Sequence, residues 1–183
     1  MNDARASNIL TGAAVAAAGA IQLALMGRPV TPLVIALILA FILWLGPSTW
    51  RSTRPVVASY VTALLVQSAH LIEEYQTGFY AVFPPIFGTD PWSPRLFLMF
   101  NLAWLAVFAL AVVGIVLDRR PAFLVALFLA IGGGIGNGLG HLALAVQRGG
   151  YFPGAYTGAL ALVAGTVLLG SLLQSRRDAA LAA

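Results

Sequence analysis

The chain has 183 residues, of which 60% are hydrophobic and only 9% are charged, well below the quarter or so that is charged in a typical soluble domain. Its net charge of +4 comes from arginines scattered between apolar runs, and this scatter, with no basic patch among aromatic residues, excludes nucleic-acid binding. The lack of cysteine excludes disulfide bonds and thiolate metal sites. The composition therefore predicts an all-α, polytopic membrane protein.

Apolar runs long enough to cross a bilayer recur along almost the whole chain. They predict a six-transmembrane-helix bundle that forms one integral membrane domain, residues 1–183. The first run could alternatively be a cleaved signal peptide. This alternative is disfavoured because the runs that follow predict more membrane helices and no secreted domain. Trp44 and Trp50 fit an aromatic belt at the membrane interface. The predicted spans are residues 8–26, 30–46, 56–75, 95–117, 122–146 and 154–174.

The connection at residues 76–94 is rich in aromatic residues and is interrupted by Pro84, Pro85, Gly88 and Pro91. So many helix-breaking residues prevent it from forming a span. We interpret it as a lid-like loop that lies in the membrane interface.

The distribution of arginine predicts the orientation of the bundle. An even number of spans places both termini on the same side, and an excess of positive charge marks the cytoplasmic side. Seven arginines fall on the terminal side and three on the other, so we expect both termini in the cytoplasm and the chain in the plasma membrane. The terminal group is Arg5, Arg51, Arg54, Arg119, Arg120, Arg176 and Arg177, and the other is Arg28, Arg95 and Arg148.

The third predicted span carries ionisable residues near its outer end, namely His70, Glu73 and Glu74. Ionisable groups at membrane depth are costly and by default indicate a functional site. Positions i, i+3 and i+4 share one face of a helix, so these side chains can converge on one small object. Gln67 lies on the flank of Glu74 and could orient its carboxylate.

The same topology places the other unusual polar residues in one outer layer. Asn137 and His141 lie in the outer part of the fifth span, and Tyr151 lies in the outer connection that leads into the sixth. Asn101 is at a similar depth, and we interpret it as an interhelical hydrogen bond. We expect His70 and His141 to meet across the bundle, with Glu73 or Glu74 between them.

Three motifs in series resemble the signatures of the HXXEE family. The segments are His70-Leu71-Ile72-Glu73-Glu74, then Asn137-Gly138-Leu139-Gly140-His141, then Tyr151-Phe152-Pro153-Gly154. They match the patterns H-x-x-E-E, N-x-x-x-H and Y-x-P-G in order and extend over nearly half of the chain. The resemblance implies an integral membrane protein and supplies no reaction, so the chemistry must be argued from the side chains.

The side chains favour a metal-dependent, hydrolase-like enzyme. Two imidazoles and a carboxylate are the ligand set of hydrolytic zinc sites, which gives His70, Glu74 and His141 as metal ligands. Glu73 would act as a base or orient a histidine, so Glu73 and Glu74 are the catalytic candidates. Zinc is favoured, while iron and manganese remain open because their ligands overlap. The substrate would be a lipid or other apolar molecule near the extracytoplasmic face, with Gln67, Asn137 and Tyr151 as binding residues.

Three alternatives remain open. A glutamate beside a histidine could shuttle protons without a metal, as in an isomerase or lyase. Carboxylates and histidines in spans also mark ion or small-molecule transport, although here they do not continue towards the cytoplasmic side. The polar groups could also simply fix helix packing.

The glycines of the fifth predicted span are interpreted as close-packing positions with the spacings Gly132 to Gly136 and Gly136 to Gly140.

Overall fold

The computed structural model describes residues 2–45 and 50–182, and throughout these ranges the regular secondary structure is helical, with no strand. A 3₁₀ turn, Arg28–Val30, precedes α2, and a second, Pro84–Phe87, follows α4. A π-helical segment, Leu129–Gly136, joins α6 to α7. The helices are α1 (Asn2–Met26), α2 (Thr31–Trp44), α3 (Arg54–Gln76), α4 (Phe79–Val82), α5 (Pro94–Val116), α6 (Arg120–Phe128), α7 (Asn137–Arg148) and α8 (Ala155–Leu181).

Five helical segments are long and apolar enough to cross a membrane, which fits a multi-pass membrane protein. The predicted second span, residues 30–46, corresponds to a shorter apolar segment, Arg28–Trp44, and its last predicted residue, Gly46, lies outside the described residues. The predicted loop at residues 76–94 contains α4 and the second 3₁₀ turn. The five candidate spans are Arg5–Met26, Arg54–Gln76, Pro94–Val116, Arg120–Arg148 and Ala155–Leu181.

Hydrogen bonds between helix ends define two ends of the bundle. At one end, the Ser175 hydroxyl donates to the Arg51 carbonyl at 2.7 Å, and the Trp44 indole donates to the Arg120 carbonyl at 2.8 Å. At the other, the Trp92 indole donates to the Met26 carbonyl at 2.9 Å. Because α2 follows closely after Met26 and ends at Trp44, it runs from one end of the bundle to the other.

Trp44 and Trp50 are buried, so their interpretation as an interfacial belt was wrong. The Trp44 side chain has no exposed surface, and the Arg120 guanidinium lies 4.0 Å from the centre of its ring. The Trp50 ring stacks on Phe123 with 6.0 Å between centroids. Both rings belong to the main hydrophobic core, because the partners at this end of the bundle bury them away from lipid.

Glycines let the segment Arg120–Arg148 pack backbone to backbone against α8. A Cβ atom on Gly134 would lie 2.6 Å from the Gly165 Cα, and one on Gly138 would overlap the Gly158 carbonyl oxygen. The glycines that pack against α8 are therefore not the ones that the spacing predicted. Gly136 and Gly140 instead line a cavity. A π-helical segment has a wider turn than an α-helix, and this shifts which glycines face the neighbouring helix.

Candidate metal centre

Three polar side chains from α3 and α7 converge inside the bundle. The Glu74 Oε1 atom lies 3.1 Å from the His141 Nε2 atom and 3.5 Å from the His70 Nε2 atom. The two imidazole rings are perpendicular, with 4.7 Å between their centroids. The exposed fractions of His70, Glu74 and His141 are 0%, 4% and 2%. One ligand atom from each lies within 4.8 Å of the others, so this buried group could hold a metal ion.

The backbone of the Tyr151-to-Gly154 turn orients His141. The His141 Nδ1 atom lies 2.6 Å from the Pro153 carbonyl oxygen, and a carbonyl oxygen can only accept a hydrogen bond. The Nδ1 atom must therefore carry a proton. In the neutral imidazole this leaves a lone pair on Nε2, the atom that faces Glu74.

A chain of hydrogen bonds gives His70 the same tautomer. The His70 Nδ1 atom lies 2.8 Å from the Thr157 hydroxyl oxygen. That hydroxyl donates its one proton to the Glu73 carboxylate, so the oxygen accepts from the His70 Nδ1–H group. In the neutral imidazole, the His70 Nε2 atom is consequently a lone-pair atom, and it is buried without a hydrogen-bond partner.

Two imidazole lone pairs and a carboxylate therefore point into one small buried space. Burying such groups without a partner is costly, and either a cation or an added proton would relieve the cost. Metal-binding histidines normally donate their second ring N–H to a carbonyl or to a carboxylate-linked group, as both histidines do here. The donor set and its outer hydrogen bonds thus fit a divalent transition metal such as zinc.

Glu73 points away from this space and binds the beginning of α8. Its carboxylate accepts hydrogen bonds from the backbone N–H groups of Tyr156 and Thr157, at 3.2 and 2.7 Å, as well as from the Thr157 hydroxyl. The Tyr151 hydroxyl donates to it at 2.7 Å. These backbone groups belong to the first helical turn, where N–H groups lack intrahelical partners and favour a negative charge. Glu73 therefore holds α8 against α3 and orients His70 through Thr157.

Tyr151 lies at the edge of this arrangement. Its side chain is partly exposed, and its hydroxyl faces Glu73. Desolvation and the hydrogen bond to Glu73 raise the pKa of the Tyr151 phenol, so the phenol stays protonated and remains a donor. Tyr151 is thus linked to His70 through three successive hydrogen bonds, by way of Glu73 and Thr157, and does not line the cavity described below.

The glycine of the third motif allows both rings to pack against the turn. Gly154 has a φ of +86°, a conformation that residues with a Cβ atom rarely adopt. A Cβ atom on Gly154 would lie 2.5 Å from the His141 Cε1 atom and 3.0 Å from the His70 Cε1 atom. Both the backbone conformation and the contact therefore require glycine at this position.

Glu74 and His141 form part of the wall of a cavity of about 360 Å³. The cavity occupies the space between α2 and α5 and is bordered at one end by α4 and the residues that follow it. The Phe79 ring of α4 lies 4.9 Å from the His141 ring. Most of the wall is apolar, and its aromatic residues include Phe79, Phe83, Trp92, Phe97, Trp104 and Phe108.

Three carboxamide side chains interrupt the apolar wall, from Gln67, Asn101 and Asn137. Gln67 is one of the predicted binding residues and was expected to orient the Glu74 carboxylate, but the structure shows no hydrogen bond between these two side chains. Seven residues separate the two, which corresponds to about 10 Å along a helix axis. The Asn101 amide donates to the Phe97 carbonyl of its own helix at 2.9 Å, so the predicted interhelical hydrogen bond was wrong.

Sequence analysis missed Thr157 and the Pro153 carbonyl group, which hold the two histidines. Thr157 is a polar residue three positions after Gly154, in the first turn of an apolar helix. A hydroxyl at that place is the only signal that the sequence offered. A backbone carbonyl leaves no signal in the sequence, since every residue has one.

The chain was compared with family models, with curated proteins and with solved structures, and none of these comparisons finds a match.

Proposed function

We propose that this chain is an HXXEE-type intramembrane enzyme that is metal-dependent and hydrolase-like, and that it acts on a lipid or other apolar substrate. The observation that carries the proposal is the convergence of the His70 Nε2, His141 Nε2 and Glu74 carboxylate atoms at the wall of an apolar cavity. A site of this kind joins a polar reactive group to an apolar binding volume, as small-molecule sites commonly do.

The residues would divide the work as follows. His70, Glu74 and His141 would hold one divalent ion, with zinc favoured over iron and manganese. The bound ion would supply Lewis-acid polarisation of the substrate or of water. Glu73 and Thr157 would position His70, and Pro153 would position His141. Asn137, one helical turn before His141, would contact the substrate within the cavity.

Six membrane crossings and cytoplasmic termini belong to the same proposal. The 3₁₀ turn of three residues and the 14 residues of α2 give a length of about 25 Å at about 1.5 Å per residue, and α2 runs between the two ends of the bundle. Arg51, Arg120 and Arg176 lie at the end opposite to the histidines. The positive-inside rule then puts the site near the extracytoplasmic face.

Metal content tests the proposal with a matched pair of neighbouring variants. The full chain would be purified in detergent without chelators, and its zinc, iron and manganese would be measured by elemental mass spectrometry. We expect about one ion per chain in the wild type, a large loss in Glu74→Gln and retention of most of the metal in Glu73→Gln. Both variants replace a carboxylate with an amide of the same shape, so only the position differs.

Two results would overturn the metal-dependent proposal. One is a wild-type chain that neither retains a transition metal nor takes up added zinc. The other is equal metal content in Glu74→Gln and the wild type, which would remove Glu74 from the ligands.

A metal-free acid–base enzyme is the second candidate, and a specific distance favours it. At 3.1 Å, the His141 Nε2 atom could donate an added proton directly to the Glu74 carboxylate. The pair would then exchange protons with a substrate in the cavity, as an isomerase or lyase requires. A folded wild-type chain without bound metal would favour this candidate.

A further inference from the structure

The deep end of the cavity carries polar groups that the metal centre does not use. Gln67 and Asn101 line the cavity on α3 and α5, and they also share a small adjoining space with Trp104. Gln67 lies seven residues before Glu74 on the same helix, and seven residues are nearly two full turns. The two side chains therefore face the same side of α3, about 10 Å apart along its axis.

The two carboxamides offer both donors and acceptors to the cavity. One of the two N–H groups of Asn101 Nδ2 is bonded to the Phe97 carbonyl, which fixes the orientation of the amide and leaves its Oδ1 atom as an acceptor. The Gln67 Oε1 atom is buried without a partner and lies against Gly133, where a Cβ atom would approach it to 3.0 Å. The Gln67 Nε2 group is therefore the atom left to donate to a ligand.

The charges of the wall select against an anionic group at the Gln67 end of the cavity. Among the described residues that line the cavity, none is an arginine, and the one carboxylate is that of Glu74. A phosphate or carboxylate buried at the Gln67 end, about 10 Å along α3 from Glu74, would have no cation beside it, and burial of an unpaired charge is costly. A hydroxyl group, by contrast, accepts one hydrogen bond and donates another.

We propose that the cavity binds a neutral, elongated amphiphile whose hydroxyl group pairs with Gln67 and Asn101, while its apolar body extends along the aromatic wall to Glu74 and His141. This inference rests on the proposed function, because the end of the ligand that lies away from its hydroxyl group, beside Glu74 and His141, would be the end that reacts. It assigns Gln67 and Asn101 as specificity-determining residues. The class of ligand is a hydroxylated lipid rather than a fatty acid or a phospholipid headgroup.

Tryptophan quenching by a brominated alcohol tests the binding mode without any metal. The probe is ω-bromodecanol, and the full chain is kept in detergent with a chelator present. Trp104 lies near the proposed hydroxyl site. Trp92 belongs to the connection at residues 76–94 and lines the other end of the cavity beside Phe79 and Phe83. With the hydroxyl at Gln67, the bromine lies towards Trp92, so Trp92→Phe should remove most of the quenching and Trp104→Phe should remove little.

Two comparison ligands test the hydroxyl group itself. The methyl ether of the probe cannot donate to Asn101, and ω-bromodecanoate carries a charge. Since one neutral hydrogen bond contributes about 1 kcal/mol, we expect the alcohol to bind about fivefold more tightly than the ether. Gln67→Leu and Asn101→Leu should each reduce this preference. Gln22→Leu is the control, because Gln22 is a buried glutamine that does not line the cavity.

The outcome separates this inference from the metal proposal. Equal binding of alcohol and ether, tighter binding of the carboxylate, or an unchanged preference in both Gln67→Leu and Asn101→Leu would overturn the inference whatever the metal content. A hydroxyl preference that depends on Gln67 in a chain that binds no metal would overturn the metal proposal and leave the inference standing.

Discussion

The single hydroxyl proton of Thr157 decides the chemistry of His70. Because the proton is donated to Glu73, the hydroxyl oxygen must accept from the His70 Nδ1–H group. A residue with no ionisable group therefore selects which nitrogen of His70 can bind a cation. The Pro153 carbonyl group does the same for His141.

Substitution of Thr157 tests this role. Thr157→Val keeps the shape of the side chain but leaves the His70 Nδ1–H group without an acceptor. Loss of such an outer partner typically lowers metal affinity about 10- to 100-fold, so we expect a loss in that range for zinc, measured by competition with a chelating dye.

Two further variants show whether the hydroxyl is responsible. Thr157→Ser keeps the hydroxyl group and should restore most of the affinity. Thr166→Val is the control on the same helix and should change nothing, because the Thr166 hydroxyl donates to the Leu162 carbonyl of α8 itself. Equal affinity in Thr157→Val and the wild type would contradict the proposed role.

The cluster of ligands could be predicted from the sequence at the level of residues. His70 and Glu74 are four residues apart and so share a helix face, and the topology placed His141 at the same depth. The separate roles of Glu73 and Gln67 could not be predicted, because they depend on the rotation of α3 about its axis and on which neighbour each face meets. The Glu73 carboxylate contacts α8, and local spacing along α3 does not determine that contact.

At the scale of elements, the beginning of α8 is the point where the three motifs meet. The helix has no side-chain cap of its own, and its first residue follows Gly154. Glu73 of α3 supplies the missing acceptor for the first turn. The geometry of the candidate metal centre therefore depends on how α8 starts.

Two glycine variants separate backbone strain from contact with the histidines. Gly149 and Gly154 both have positive φ, +68° and +86°, so alanine at either should cost about 1–2 kcal/mol through the backbone. A Cβ atom on Gly149 would meet nothing within 4 Å, whereas one on Gly154 would meet both histidines. We expect Gly154→Ala to lower the Tm more and also to lose zinc, whereas Gly149→Ala keeps it. Zinc retention in Gly154→Ala would show that the turn can move away from the rings.

The π-helical segment explains why the helix packing was harder to predict than the helices themselves. The existence of the long helices follows from apolar runs, and two of them begin at local features, the Thr53 side chain that caps α3 and the Ser93 side chain that caps α5. The glycine spacing assumed a regular α-helix, and the wider turn between Leu129 and Gly136 displaced the contacts. A change of helix type within an apolar run leaves no clear trace in residue order.

At the scale of the whole molecule, the orientation in the membrane can be tested with reporter fusions. If α2 crosses the membrane, fusions after Arg54 and after Arg120 should read cytoplasmic, and fusions near Asp90 and near Gly149 should read extracytoplasmic. The reason is the excess of arginine at the end of the bundle opposite to the histidines. The reverse pattern would place the site at the cytoplasmic face, and opposite readings for the N-terminus and Arg54 would show that α2 does not cross.

The support that Glu73 gives to α8 has a consequence for the order in which the protein is made. A chain emerges from the ribosome starting at its N-terminus, so α3 enters the membrane long before α8 does. Until then, Glu73 has none of its four hydrogen bonds and His70 has no fixed tautomer. The two carboxylates of α3 therefore remain without their final partners for most of synthesis. If the centre binds a metal as proposed, we expect the tightest binding only after α8 has entered, because Thr157 and Pro153 hold the two histidines.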